Sequence, residues 1–260
     1  MSKIHSTAII GDNCTFGKDV VIGAYSIIDE NVKIGNGTII NPSVHISGNT
    51  DIGESNIFYQ FCSIGSPPQD LKFYGEKSFL RIGNSNVFRE GCTVNPGTEG
   101  GGLTTEIGND SLFMTGAHIA HDCIVGNGTV FANQATLGGH VTVGDKAILG
   151  GLTGIHQFCR IGKLAMIGGL SAVHNDVIPY GLATGNRAKL DGINMIGLKR
   201  AGYSNQDIKD FVKTFNTIFS SNSIESKTTD FKDSENKLVK EVCNFIQVNS
   251  ARGLCPYAKK

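Results

Sequence analysis

Phe113-Met-Thr-Gly-Ala-His-Ile119-Ala-His-Asp-Cys-Ile-Val125-Gly-Asn-Gly-Thr-Val-Phe131-Ala-Asn-Gln-Ala-Thr-Leu137 carries an apolar residue at every sixth position. Outward from this stretch, the same step runs from Ile10 to Ile64 and resumes in phase at Ile82, Phe88 and Val94. It then slips by one residue and continues from Ile107 to Val173. A helix needs apolar spacings of three and four and a half-buried strand needs alternation, so neither template fits. A hexapeptide repeat does: each hexad makes a short strand and a corner, and stacked hexads form a parallel β-helix. Glycine often follows the apolar residue, as at Gly11, Gly17, Gly126 and Gly144, and suits the backbone at a corner. Four positions after the apolar residue the side chain is small, as in Ser26, Thr38, Ala117 and Ala135, with Asn56 and Asn86 as polar exceptions. Three hexads per coil place residues 18 apart in one column, about 4.8 Å from coil to coil.

The 260 residues divide into a repeat domain over 1–185 and an α-helical C-terminal domain over 186–260. Two stretches break the period, 66–81 and 95–106, and both have the length of excursions from the prism, where sites tend to be built. The second contains Gly100-Gly-Gly102, which lacks the following lysine and the strand-to-helix context of a phosphate cradle and reads as a mobile loop. Beyond Pro179 the pattern turns helical. Helices are expected over 191–201, from Ser204 through Phe219, and over 237–248, with 221–233 as a polar connection.

Lys and Arg balance Asp and Glu at 23 each, so bulk charge points to neither nucleic acid nor a membrane surface. No segment approaches the roughly 18 apolar residues of a membrane span and the N-terminal stretch lacks the pattern of a signal peptide, so a cytoplasmic protein is expected. Of seven cysteines, Cys14, Cys62, Cys92, Cys123 and Cys159 fall in the small-residue slot, where a reduced thiol is compact filler. No CxxC pair suggests a disulfide framework or metal.

The histidines are gathered. By the 18-residue rule His118 stacks over Thr136 and Gly154, His121 over Gly139 and Gln157, and Asp122 over His140 and Phe158, with His156 on Gly138. Four imidazoles and a carboxylate on three successive coils around one corner mark a candidate site. Two chemistries suit it. In one, His121 is a general base oriented by Asp122, and backbone N–H groups near Gly138-Gly139 stabilise an oxyanion during acyl transfer. In the other, three histidines bind zinc and activate water, as in the carbonic anhydrases built on this repeat.

Gln69-Asp-Leu-Lys72, Ala117-His-Ile-Ala-His-Asp-Cys123, Leu137-Gly-Gly-His140, Ile155-His-Gln-Phe-Cys159, Gly185-Asn186 and Gly197-Leu-Lys-Arg200 resemble the signature segments of the UDP-N-acetylglucosamine O-acyltransferase family. The resemblance spans nearly the whole chain. It implies a mainly β fold, a left-handed parallel β-helix followed by a small α-helical domain, an exception to the usual right-handed crossover. It also implies a homotrimer with sites between subunits. The implied reaction transfers a 3-hydroxyacyl chain from acyl carrier protein to the 3-hydroxyl of UDP-N-acetylglucosamine, the first acylation of lipid A synthesis, without cofactor or metal. His121 matches the general base, Asp122 its orienting partner and Gly139 the oxyanion donor. Asp70, Lys72, His118, His140 and Gln157 match substrate-contacting positions, Gln69, Asn194 and Arg200 positions near the sugar or nucleotide, and His156 a position in the same site. Gly169 matches the position that limits acyl length, and its missing side chain suggests room for a longer chain. Ile196, Ala201 and Arg187 depart from the family pattern in the nucleotide and acyl regions. Related N-acyltransferases and serine acetyltransferases carry a sizeable domain before their repeats, whereas hexads here begin at residue 10.

Overall fold

In the computed structural model, which describes residues 2–221 and 223–258, the hexads fold as a left-handed parallel β-helix with three flat faces. Among the described residues one face has eleven strands, from Lys3–Ile4 to Lys189–Ile193. A second has nine, from Ile9–Ile10 to Ala172–Val173, and a third has eight, from Thr15–Phe16 to Arg160–Ile161. Most strands are two residues long, one residue facing out and one buried, because a hexad must also supply its corner. Pairing advances by one coil, as in Val21↔Ile39 and His118↔Thr136. At the two excursions it jumps instead, pairing Ile57 with Val87 and Val87 with Leu112. The second jump inserts seven residues rather than a multiple of six, which is the origin of the phase slip.

The interior is a column of stacked side chains. Phe58, Phe88, Phe113 and Phe131 are fully buried, with successive ring centroids 4.7, 4.6 and 4.9 Å apart. Asn56 and Asn86 survive in this interior because their amides are paired. Asn56 Oδ1 accepts from the Asn86 N–H and from Asn86 Nδ2, and Asn86 Oδ1 accepts from the Ser111 N–H. Cys62, Cys92, Cys123 and Cys159 are buried filler, and burial pushes the Cys123 and Cys159 thiols up to about 12, out of thiolate range at neutral pH.

Several elements differ from the expected ones. Regular strand resumes at Phe79 and at Thr104, before the ends of the expected excursions, since Leu80 and Thr105 each add an inward residue to a four-residue strand. Lys189–Ile193 is a strand antiparallel to Gly181–Thr184 rather than the start of a helix. Helix α1 therefore spans only Met195–Arg200. Helix α2 is Asn205–Phe219, capped by Ser204 Oγ accepting from the Asp207 N–H at 3.0 Å. The stretch expected as a polar connection contains a short helix, α3, at Ile224–Thr229, held by buried Thr228. Helix α4, Lys237–Gln247, buries Leu238, Val239, Val242, Cys243 and Ile246.

Polar ties fasten these helices to the prism. Buried Asp176 accepts from Arg160 Nε at 2.6 Å, while the Arg160 guanidinium lies 4.3 Å from the centre of the Phe245 ring. The Tyr180 hydroxyl donates to Glu241 of α4. No helix among the described residues is long and apolar enough to cross a membrane.

Candidate active site

The corner between the second and third faces holds Asp122, His140 and Phe158 in one column at φ of 59°, 61° and 67°. Side chains rarely adopt this left-handed region, and the cost is met here by coil-to-coil hydrogen bonds such as His140 N–H to His121 O and Phe158 N–H to Gly139 O, both 3.0 Å. The repeated conformation projects carboxylate, imidazole and phenyl in a row. The His140 ring stacks on Phe158 at 4.3 Å with an interplanar angle of 5°, and meets His121 edge-on at 5.1 Å.

His121 and Asp122 form a dyad, with Nδ1 and Oδ2 2.7 Å apart. The Asp122 side chain is 1% exposed and accepts two further bonds from Thr98, the N–H to Oδ1 at 2.8 Å and the hydroxyl to Oδ2 at 2.6 Å. A carboxylate ringed by donors acts as an acceptor, so His121 presents Nδ1–H to it and keeps the Nε2 lone pair. Nε2 has Asp70 Oδ2 at 4.0 Å, and His140 Nε2 lies 3.8 Å from Asp122 Oδ2. His121 lines a cavity of about 470 Å³ with Gln69, Asn95, His118, Gly139, His156 and Gln157. Asp70, Lys72, Glu76, Thr98, His140 and Phe158 line a second cavity, of about 400 Å³.

Two glycines permit this arrangement. A Cβ on Gly139 would sit 2.5 Å from His121 Cε1, and one on Gly101 would sit 2.0 Å from Asp122 Cγ. Within the Gly100-Gly-Gly102 run it is thus Gly101, closing the short turn Glu99–Gly101, that packs against the Asp122 carboxylate. The Gly139 N–H makes no hydrogen bond among the described residues.

The excursions are tied together. Asn95 Nδ2 donates to Ser66 O at 2.9 Å and Pro67 O at 3.2 Å at the root of the first, and Glu76 Oε1 accepts from the Glu99 N–H in the second at 3.2 Å. His118 Nδ1 shares a hydrogen bond of 2.7 Å with Thr93 Oγ1. Burial pushes the His118 and His140 imidazoles below their ordinary value, with the neighbouring His121 adding to it, so both are neutral at neutral pH; Asp122 partly opposes the effect on His140.

One group among the described residues offers metal-ligand atoms within 4.8 Å of one another, His121, Asp122 and His140. Its carboxylate already accepts three hydrogen bonds, and His118 and His156 stand outside it, so three imidazoles do not converge within one chain. Asn194 and Arg200 line a different, largely apolar groove of about 840 Å³ with Ile148, Met166 and Ile196. There the Asn194 side chain caps α1, accepting from the Gly197 N–H and donating to Leu164 O, both at 2.9 Å. Gly169 lies outside all three cavities, its Cβ direction facing Gly151 O at 3.3 Å.

The sequence pattern assigned no role in the site to Thr98, Glu76, Gly101 or Phe158. The first three sit in or beside non-repeating segments that the 18-residue rule does not reach, and Phe158 was placed under His140 without a role.

Comparison with known proteins bears on this geometry. Residues 104–139 match the family model described as bacterial transferase hexapeptide (six repeats), and residues 176–255 match the one described as Udp N-acetylglucosamine O-acyltransferase, Domain 2. A Rickettsia canadensis protein named acyl-[acyl-carrier-protein]--UDP-N-acetylglucosamine O-acyltransferase is 50% identical over 99% of both chains. The solved UDP-N-acetylglucosamine acyltransferase from Campylobacter jejuni superposes with a TM-score of 0.94 at 37% identity, over 98% of this chain and 100% of its own. The Francisella novicida enzyme gives 0.94 at 33%, over 97% and 94%. Likeness of this degree, over nearly the full length of both chains, takes in the coils that carry the His121–Asp122 pair, both excursions and the helical tail, and so the chain belongs to the UDP-N-acetylglucosamine O-acyltransferase family and is an acyltransferase.

Proposed function

We propose that this enzyme transfers a 3-hydroxyacyl chain from acyl carrier protein to the 3-hydroxyl of UDP-N-acetylglucosamine, the opening step of lipid A synthesis, with His121 as general base. The observation that carries the reading is the His121–Asp122 pair, whose Nδ1 is committed to a buried carboxylate while Nε2 faces a cavity. Nε2 takes the proton of the sugar 3-hydroxyl as its oxygen attacks the thioester carbonyl. The oxyanion of the tetrahedral intermediate accepts from the Gly139 N–H. Collapse forms the ester and breaks the carbon–sulfur bond, and the departing thiolate recovers the proton from His121. Gln69, Asp70, Lys72, His118, His140, His156 and Gln157 surround the reacting groups in this reading. Asn194 and Arg200 line a separate groove within one chain, which supports a homotrimer in which one copy completes another's site. Exposed Lys189, Lys199, Arg200, Lys209 and Lys213 are the candidate contacts for an acidic carrier protein. The missing Gly169 side chain favours a long acyl chain.

The test is a transfer assay with UDP-N-acetylglucosamine and a mixture of 3-hydroxyacyl carrier proteins of different lengths, read by mass spectrometry with and without chelator. Chelator-resistant acylation of the sugar nucleotide, favouring the longer donors, is expected. No product together with stoichiometric bound zinc would move the histidine cluster to the zinc-and-water chemistry of the carbonic anhydrases.

Gly139→Ala probes the site sterically. Its methyl must push the His121 ring aside, and a displacement of about 1 Å at a reacting group costs on the order of 10²-fold in rate. Steady-state kinetics are expected to show that loss mainly in kcat, and an unchanged kcat would remove Gly139 from the mechanism.

A further inference from the structure

A residue from the far end of the chain reaches back over the catalytic columns. After α4 the chain lies along the last coils, where the Asp176 N–H donates to Gly253 O and the Cys255 N–H to Asp176 O, each at 2.8 Å, and Asn175 Nδ2 donates to Arg252 O at 2.6 Å. With its backbone fixed, Arg252 lays its side chain against the coil of Gln157 and Phe158, at the margin of the two cavities those residues line. Nε donates to Gln157 O at 2.7 Å, and the guanidinium carbon lies 5.9 Å from the centre of the Phe158 ring, the ring that stacks on His140. Gln157 lines the cavity of His121 and Phe158 lines the cavity of Lys72.

Only one of the five guanidinium donors is used. Among the described residues the other four N–H groups make no hydrogen bond, and no carboxylate oxygen lies within 4.0 Å of Arg252. Asp176, the acid on the segment paired with it, is committed to Arg160 at 2.6 Å. A tether from the C-terminal segment to the prism needs one donor, and Nε supplies it. What remains is an uncompensated planar fork held in place from behind, the arrangement that binds phosphate oxygens in bidentate fashion. Gln157 stands two coils from His121, so the fork lies about 10 Å along the axis from the base.

We propose that Arg252 is a substrate-binding residue whose free fork takes a phosphate group of the substrates. That group is either the phosphodiester on the pantetheine arm of the acyl donor or the diphosphate of the sugar nucleotide. The inference rests on the acyl-transfer reading, in which both substrates are phosphorylated.

The test is calorimetric titration of the full chain, as wild type, R252Q and R252K, with three probes: 3-hydroxyacyl-phosphopantetheine, the same thioester lacking phosphate, and UDP-N-acetylglucosamine. R252Q is expected to weaken the phosphorylated donor about tenfold or more, with R252K intermediate and the phosphate-free donor unaffected. The same loss confined to UDP-N-acetylglucosamine assigns the fork to the diphosphate. Equal affinities for wild type and R252Q, or equal losses for all three probes with a lowered melting temperature, overturn the proposal and leave Arg252 as a tether. A wild-type protein that binds none of the probes contradicts the acyl-transfer reading itself, and this inference with it.

Discussion

Replacing His121 by alanine is expected to lower kcat/KM for acyl transfer by about 10²- to 10⁴-fold, the range of a positioned general base. The sugar hydroxyl is a weak nucleophile at neutral pH, and Nε2 of His121, which lines the cavity beside Gly139, is the ring nitrogen not engaged by Asp122. The neighbouring imidazoles do not replace it. His118 turns Nδ1 to Thr93, and His140 is packed between Phe158 and the edge of His121. The melting temperature is expected to move little, because the prism core runs through Phe58, Phe88 and Phe113 rather than through this corner. Steady-state kinetics on His121→Ala beside a His118→Ala control measure this directly. Activity within a few-fold of wild type would mean that the dyad is not the base.

Asp122→Asn is the second large effect, and its direction follows from counting donors. Asp122 accepts from the Thr98 N–H, the Thr98 hydroxyl and His121 Nδ1. An amide of the same shape has one acceptor oxygen. The Thr98 N–H cannot reverse its role, whereas the hydroxyl can, so the oxygen settles on the N–H and the amide nitrogen turns toward His121. The imidazole then carries its proton on Nε2, the wrong tautomer for a base. A fall in kcat on the order of 10²- to 10⁴-fold is expected, with the affinity for UDP-N-acetylglucosamine retained. Retained kcat in Asp122→Asn would show that the carboxylate neither orients nor charges the base.

What could be read from sequence follows the periodicity. Column neighbours such as His118 over Thr136, and Asp122 over His140 over Phe158, were legible because backbone pairing from coil to coil enforces them. The reading weakened where the period stops. Thr98 and Gly101 embrace Asp122 from an excursion whose path no repeat dictates. Residues 191–193 looked helical, yet a strand edge at Gly181–Thr184 was available for them to pair with. Arg252 is 95 residues from its partner Gln157, beyond the reach of any local pattern. Family resemblance supplied roles for Asn194 and Arg200, which in one chain line a groove apart from the dyad.

The most direct test of the account is the chemical structure of the product. Chelator-treated enzyme would be given UDP-N-acetylglucosamine and one 3-hydroxyacyl carrier protein, and the sugar nucleotide recovered for NMR and mass spectrometry. The account calls for a single 3-hydroxyacyl ester on oxygen 3 of the glucosamine ring. Acylation at another position, or an unmodified sugar beside free fatty acid, would contradict it.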